Sequence, residues 1–161
     1  MRTKSTLPIL YIGRFQPFHL GHLDAVKQCF DFADSVIIGI GSSQYQNQPD
    51  NPFSAQLRTE MIKRSLEEAK IAPDLVTIIL IPDIQNDEKW VSHVEKLAPG
   101  FGPVMTGSAH VQKLFKPVHS VHPIITPKFN LKISGTEVRR RMRTHEEWRN
   151  LVPNAVKKLW K

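Results

Sequence analysis

Leu7-Pro-Ile-Leu-Tyr-Ile-Gly-Arg-Phe-Gln-Pro-Phe-His-Leu-Gly-His22 sets the architecture. Leu7 to Ile12 is almost wholly apolar, as a strand buried on both faces is. Beyond it Leu23, Val26, Phe30 and Ala33 recur at helical spacing, which predicts an amphipathic helix over about Leu20 to Ala33. A buried strand that turns straight into a helix opens a β-α-β unit, and such units build parallel sheets.

The same alternation continues along the chain. Ser35 to Ile40 reads as a second buried strand, and the Gln- and Asn-rich stretch from Gly41 to Pro52 as a loop. Ser54 caps a helix that carries Leu57, Met61, Ile62, Leu66 and Ala69 on one side. A third strand, Leu75 to Ile81, stops at Pro82, and a helix follows over Asp87 to Leu97. Val104 to Thr106, a short helix near Val111 to Phe115, and Val121 to Ile125 complete the pattern. Ser134-Gly-Thr-Glu137 has capping-box spacing, and Pro153 suits a first helical position, so the end of the chain reads as helical. The expectation is one α/β domain over residues 1–161: a Rossmann-like parallel sheet with helices on both faces and a helical C-terminal segment.

Composition narrows the class. The 161 residues are 40% hydrophobic and have a mean hydropathy of −0.29, which fits a folded globular chain and excludes disorder. Cys29 is the single cysteine, so no internal bridge and no cysteine-based metal site is expected, and the setting is read as reducing and cytoplasmic. The start, with Arg2 and Lys4 before an apolar run, mimics a leader peptide. Arg14 follows that run where small residues would be needed, so it is read as a strand. No stretch approaches the ~20 apolar residues of a membrane span. The net charge of +7 suits an anionic ligand and is concentrated in Arg139 to Arg143 and in the tail from Lys157 to Lys161.

In an open parallel sheet, ligands sit beyond the carboxyl ends of the strands, and the unusual residues fall there. His19 and His22 lie on one side of the first helix's first turn, and Gly21 between them bares the backbone. The helix pole and Arg14 favour an anion in the same place. Neither the phosphate-loop pattern nor the dinucleotide glycine fingerprint is present. A metal pair is the rival reading, but the spacing is short and no third ligand stands out. A packing role for the two rings is the other. Near the end, Ser134, Thr136 and Arg139 form a second anion-binding helix start, which read alone is also a plain helix cap with a wet face. Two such starts in one chain point to a polyphosphate bridging them.

Gly13-Arg-Phe-Gln-Pro-Phe-His-Leu-Gly-His22 together with Ile133-Ser-Gly-Thr-Glu-Val-Arg139 resembles the nucleotidyltransferase superfamily and its H-x-G-H and I-S-x-T-x-x-R signatures. Gly41-Ser-Ser-Gln44, Asn51-Pro-Phe-Ser54, Pro82-Asp-Ile84, Trp90 to Val94, Thr106-Gly107 and Leu151-Val-Pro153 extend the likeness to nicotinamide-nucleotide adenylyltransferases of the archaeal type. The resemblance implies an enzyme that joins ATP and nicotinamide mononucleotide (NMN) into NAD and pyrophosphate, with magnesium bridging phosphate oxygens. It implies that His19, His22, Arg14 and Arg139 stabilise the transferring phosphates, and that Gly13, Phe15, Gly21, Gly107, Ser134 and Thr136 bind ATP. Asp83, Asn86 and Trp90 would bind NMN, although Trp90 read alone is a helix-core residue. Asn86 stands one position early, with Asp87 where the family's Asn belongs. Ser108 replaces a frequent Asn, and Gln56-Leu57 replaces Gly-Glu. A homo-oligomer, as large as a hexamer, is the family's habit; no nucleic-acid or membrane partner is implied. Nicotinic acid mononucleotide and phosphopantetheine remain alternative acceptors, and a basic nucleic-acid module is the non-enzymatic rival.

Overall fold

The computed structural model describes residues 3–160, so Arg2 and Lys161 of the basic ends lie outside the described residues. Five parallel strands, β1 (Ile9–Gly13), β2 (Val36–Gly41), β3 (Val76–Ile81), β4 (Val104–Met105) and β5 (Ile124–Ile125), form one sheet in the order β3-β2-β1-β4-β5. Helices α1 (Leu20–Cys29), α2 (Ala55–Glu68), α3 (Asp87–Leu97), α4 (Ala109–Phe115), α5 (Gly135–Arg143) and α6 (Asn154–Leu159) complete it.

Central β1 shows why the sheet is covered twice. Ile9 and Tyr11 pack into a core with Val26 of α1, Met61 of α2, Val138 of α5 and Val156 of α6. Leu10 and Ile12 point the other way, into a second core with Val94 of α3 and Phe115 of α4. Alternate side chains of a strand face opposite sides, so an unbroken apolar run requires helices on both. α6 packs on α2, which fastens the C-terminal segment to the first core.

Element ends depart from the expected limits where prolines or tight turns intervene. Pro8 and Pro123 lack an N–H, and β1 and β5 begin just after them. Val121 and His122 instead turn their N–H groups back on the Val118 carbonyl. α1 stops at Cys29, after which Asp31 and Phe32 make the tighter bonds of a closing turn to Gln28 and Cys29. Ser54, Asn86 and Ser134 each cap a helix with a side-chain oxygen. The box expected at Ser134 is one-sided, because Glu137 bonds Arg140 and Arg141. Arg140 also meets Glu146, so much of the basic run is internally paired. Pro153 is the N-cap of α6, one place before the position expected.

Candidate active site

The turn from β1 to α1 is a packed structure. Phe15 adopts a left-handed backbone (φ 54°) and folds its ring over Gly13, where a Cβ would stand 2.9 Å from it. That ring is buried against Tyr11, Phe18 and the edge of His22. Gln16, also buried, exchanges two hydrogen bonds with the backbone of Phe53, at 3.0 and 2.9 Å, and so ties the turn to the entry of α2.

His19 is the N-cap of α1. Its Nδ1 accepts the N–H of His22, and His22 Nδ1 accepts the N–H of His19. An accepting Nδ1 carries no proton, so each neutral ring carries its proton on Nε2. Burial holds His19 down to about 4 and His22 well below its ordinary value, the latter also through the neighbouring imidazole. The pair is thus two uncharged Nε2–H donors. Gly21 lies against it: a Cβ there would meet the His19 ring at 3.0 Å.

Three hollows divide the expected site residues. The first is lined by His19, Gly21, His22, Gly107 and Ser134 with Phe129. A second, of about 510 Å³, contains Arg14, Asp83, Asn86, Trp90, Asp87 and His110. Ile12, Gly13 and Ser108 line both, so these two hollows adjoin across the end of β1. Arg139 opens on a third, with Arg143, Phe53 and Trp160. Its guanidinium is buried, donates to the Gln16 carbonyl and Thr136 Oγ1, and lies 3.9 Å from Asp50. Its Nε is buried without a partner among the described residues. Phe15 and Thr136 line neither of the first two hollows. Arg14 connects the groups electrically, since its charge lowers the pKa of both Arg58 and Arg139 after the larger effect of burial.

In the second hollow, Asp83 is gripped on three atoms. Its carboxylate accepts from Ser42 Oγ at 2.8 Å, and its backbone N–H and carbonyl both bond the Gln44 side-chain amide. Trp90 packs edge-on against Phe115 and also lines the hollow, so it belongs at once to the second core and to the wall of this hollow. Asn86 spends its Oδ1 on capping α3. Asp87 faces His110, 3.5 Å away on α4.

Two residues escaped the reading of the sequence. Arg58 is fully buried and donates only to carbonyls. A lone arginine on the apolar face of α2, one turn before Met61 and Ile62, was the available signal. Gln44 stood only within the Gly41–Gln44 segment of the family likeness, and nothing in its polar loop pointed to its hold on Asp83.

The sequence pattern of the cytidylyltransferase-like family matches residues 10–141, which contain both histidines, both hollows and Arg139. The chain belongs to the cytidylyltransferase-like family. It is 42% identical over 148 residues to a nicotinamide-nucleotide adenylyltransferase of Thermococcus kodakarensis, covering 91% of this chain and 78% of that one. It is 43% identical over 148 residues to the protein of the same description from Pyrococcus horikoshii, with the same coverage. Among solved structures, a bifunctional NMN adenylyltransferase/ADP ribose pyrophosphatase from Francisella tularensis superposes with a TM-score of 0.81 at 25% identity. That match covers 96% of this chain but 49% of the bifunctional one, so this chain spans about half its length. A second structure of that protein, complexed with AMP and manganese, gives a TM-score of 0.77 at 27% identity.

Proposed function

We propose that this protein is a nicotinamide-nucleotide adenylyltransferase, transferring the adenylyl group of ATP to the 5′-phosphate of NMN with release of pyrophosphate. The observation that carries the reading is the pair of hollows meeting at Gly13 and Ser108, with the histidine donors on one and Arg14 and Trp90 on the other. Two ligands seated there bring their phosphates together at the end of β1.

ATP takes the first hollow, its adenosine against the bare backbone of Gly21 and Gly107. NMN takes the second. Its anionic phosphate lies at Arg14, and its cationic ring lies on Trp90 near the carboxylates of Asp83 and Asp87. An oxygen of the NMN phosphate attacks the α-phosphorus of ATP, a P–O bond forms, and the bond to the β-phosphate bridging oxygen breaks with its electron pair leaving on pyrophosphate. The attacking oxygen is already anionic, so no general base is required. His19 and His22 hold the charge of the crowded phosphorus through Nε2–H, and Ser134 with the start of α5 holds the tail of the triphosphate.

Magnesium enters as the magnesium complex of ATP. The residues present suit this role: both Nε2 atoms carry protons, and among the described residues no trio of His, Cys, Asp or Glu converges to cage an ion. Phosphate oxygens and water would supply its ligands. No helix among the described residues is long and apolar enough to cross a membrane. We place the activity in the cytoplasm and in a homo-oligomer, which light scattering of the purified chain tests. The activity itself is tested by offering ATP with NMN, nicotinic acid mononucleotide or phosphopantetheine in parallel and measuring pyrophosphate. Fastest release with NMN supports the reading, and a preference for phosphopantetheine overturns it.

A further inference from the structure

Among the described residues Arg58 is the largest fully buried side chain, and no ion pair holds it. Its Nη1 donates to the carbonyls of Arg14 and Gly41, both at 2.9 Å. Nη2 donates to Ser42 and Tyr45, at 3.2 and 3.4 Å, and Nε to Ser54 at 3.3 Å. A buried guanidinium is costly unless its donors are met, and here carbonyl dipoles alone meet them. Burial, and then the charge of Arg14, lowers its pKa to about 10, so it stays protonated at neutral pH.

Three of these five carbonyls, those of Arg14, Gly41 and Ser42, belong to residues that line the acceptor hollow. Arg14 stands at its phosphate end, just past β1, while Gly41 ends β2 and Ser42 follows it. Ser42, held in a left-handed backbone (φ 47°), carries the hydroxyl that fixes the Asp83 carboxylate at the ring end. One guanidinium therefore ties the backbone under Arg14 to the backbone under Ser42, and Ser42 passes that anchorage to Asp83.

We infer that Arg58 is a positioning residue that fixes the span between the phosphate-binding and ring-binding ends of the NMN hollow, acting through Arg14, Gly41 and Ser42. The inference rests on the adenylyltransferase reading above. Arg58 donates to no residue of the first hollow, so its effect belongs to the acceptor more than to ATP.

The test is steady-state kinetics on two variants, run below their melting temperatures. In Arg58→Lys the charge remains, but an ammonium cannot span both strand ends. Its KM for NMN should rise about tenfold while that for ATP changes less than about twofold. Ser42→Gly removes only the hydroxyl, at a position whose backbone favours glycine, so its melting temperature should hold while its KM for NMN rises about threefold or more. If Arg58→Lys does not fold, Ser42→Gly decides alone. Folded variants in which both KM values move together, or neither moves, overturn the inference. A parent protein that makes no NAD from ATP and NMN overturns the functional reading instead, a result read before either variant is made.

Discussion

His19 and His22 cap each other: the Nδ1 of each accepts the other's backbone N–H, at 3.3 and 3.1 Å, and their rings stack with centroids 3.5 Å apart. This is the reciprocal bonding of a capping box, built from two imidazoles. Its chemical consequence is a fixed tautomer, with the proton on Nε2 in two rings that line the first hollow. Nitrogen NMR of the ring atoms at neutral pH should show both histidines protonated on Nε2 alone.

Removing one such donor tests its catalytic weight. His19→Asn keeps an oxygen to cap α1 but loses the outer nitrogen, so kcat should fall by about 10² to 10³ with the fold intact. His22→Ala should lose a comparable factor. Turnover within about twofold of the parent in either variant would remove the pair from the reaction.

Gly21 offers a subtler test. A methyl group there would press on the His19 ring at 3.0 Å, and that ring has His22 stacked against its face. Alanine is otherwise favoured in a helix. Gly21→Ala should therefore leave unfolding stability within about 1 kcal/mol of the parent while lowering kcat severalfold.

Acidity should act through the same rings. Unfolded, His19 takes up a proton near 6.5; folded, it resists until about 4. Between these values the unfolded chain binds more protons, so stability rises with pH across the window and is lost as pH falls through it. For His19 the span amounts to about 3 kcal/mol, and His22 acts in the same direction. Glu137 and Glu146, both held to about 2 by hydrogen bonds chiefly from Arg140, act lower, as pH falls below 4.5. Urea midpoints measured between about pH 4 and 8 should climb toward 6.5, with a smaller climb in His19→Asn.

Much of this was legible in the sequence. The unbroken apolar run of β1 demanded two covered faces, and the turn that follows demanded a helix. The limits of β1 and β5 were less legible, because Pro8 and Pro123 withdraw the donors that their neighbours need. The histidines could be placed together by helical spacing, but their mutual capping could not. Arg139 read as another phosphate ligand at a helix start. Where it rests, on Gln16, Thr136 and Asp50, depends on a loop that carries no periodic signal. Arg58 was hidden for a similar reason: its partners are carbonyls from distant segments, and carbonyls leave no mark in a sequence.

At the ring end of the second hollow, Trp90→Ala should weaken NMN by about 1–3 kcal/mol, by analogy with base–aromatic stacking, and leave ATP nearly unaffected. An effect confined to the KM of ATP would contradict the placement.

The carboxylates of Asp83 and Asp87 beside that ring should disfavour an acceptor bearing a carboxylate of its own. Asp87→Asn should narrow the preference for NMN over nicotinic acid mononucleotide by about tenfold in the ratio of kcat/KM values. An unchanged ratio would acquit Asp87.

The most direct measurement is a crystal structure of the protein with NAD. The account places the nicotinamide against Trp90, the adenosine beside Gly21 and Gly107, and the linking phosphates across Gly13 within hydrogen-bond reach of the Nε2 atoms of His19 and His22. A dinucleotide seated wholly in one hollow, or with its phosphates away from both imidazoles, would contradict it.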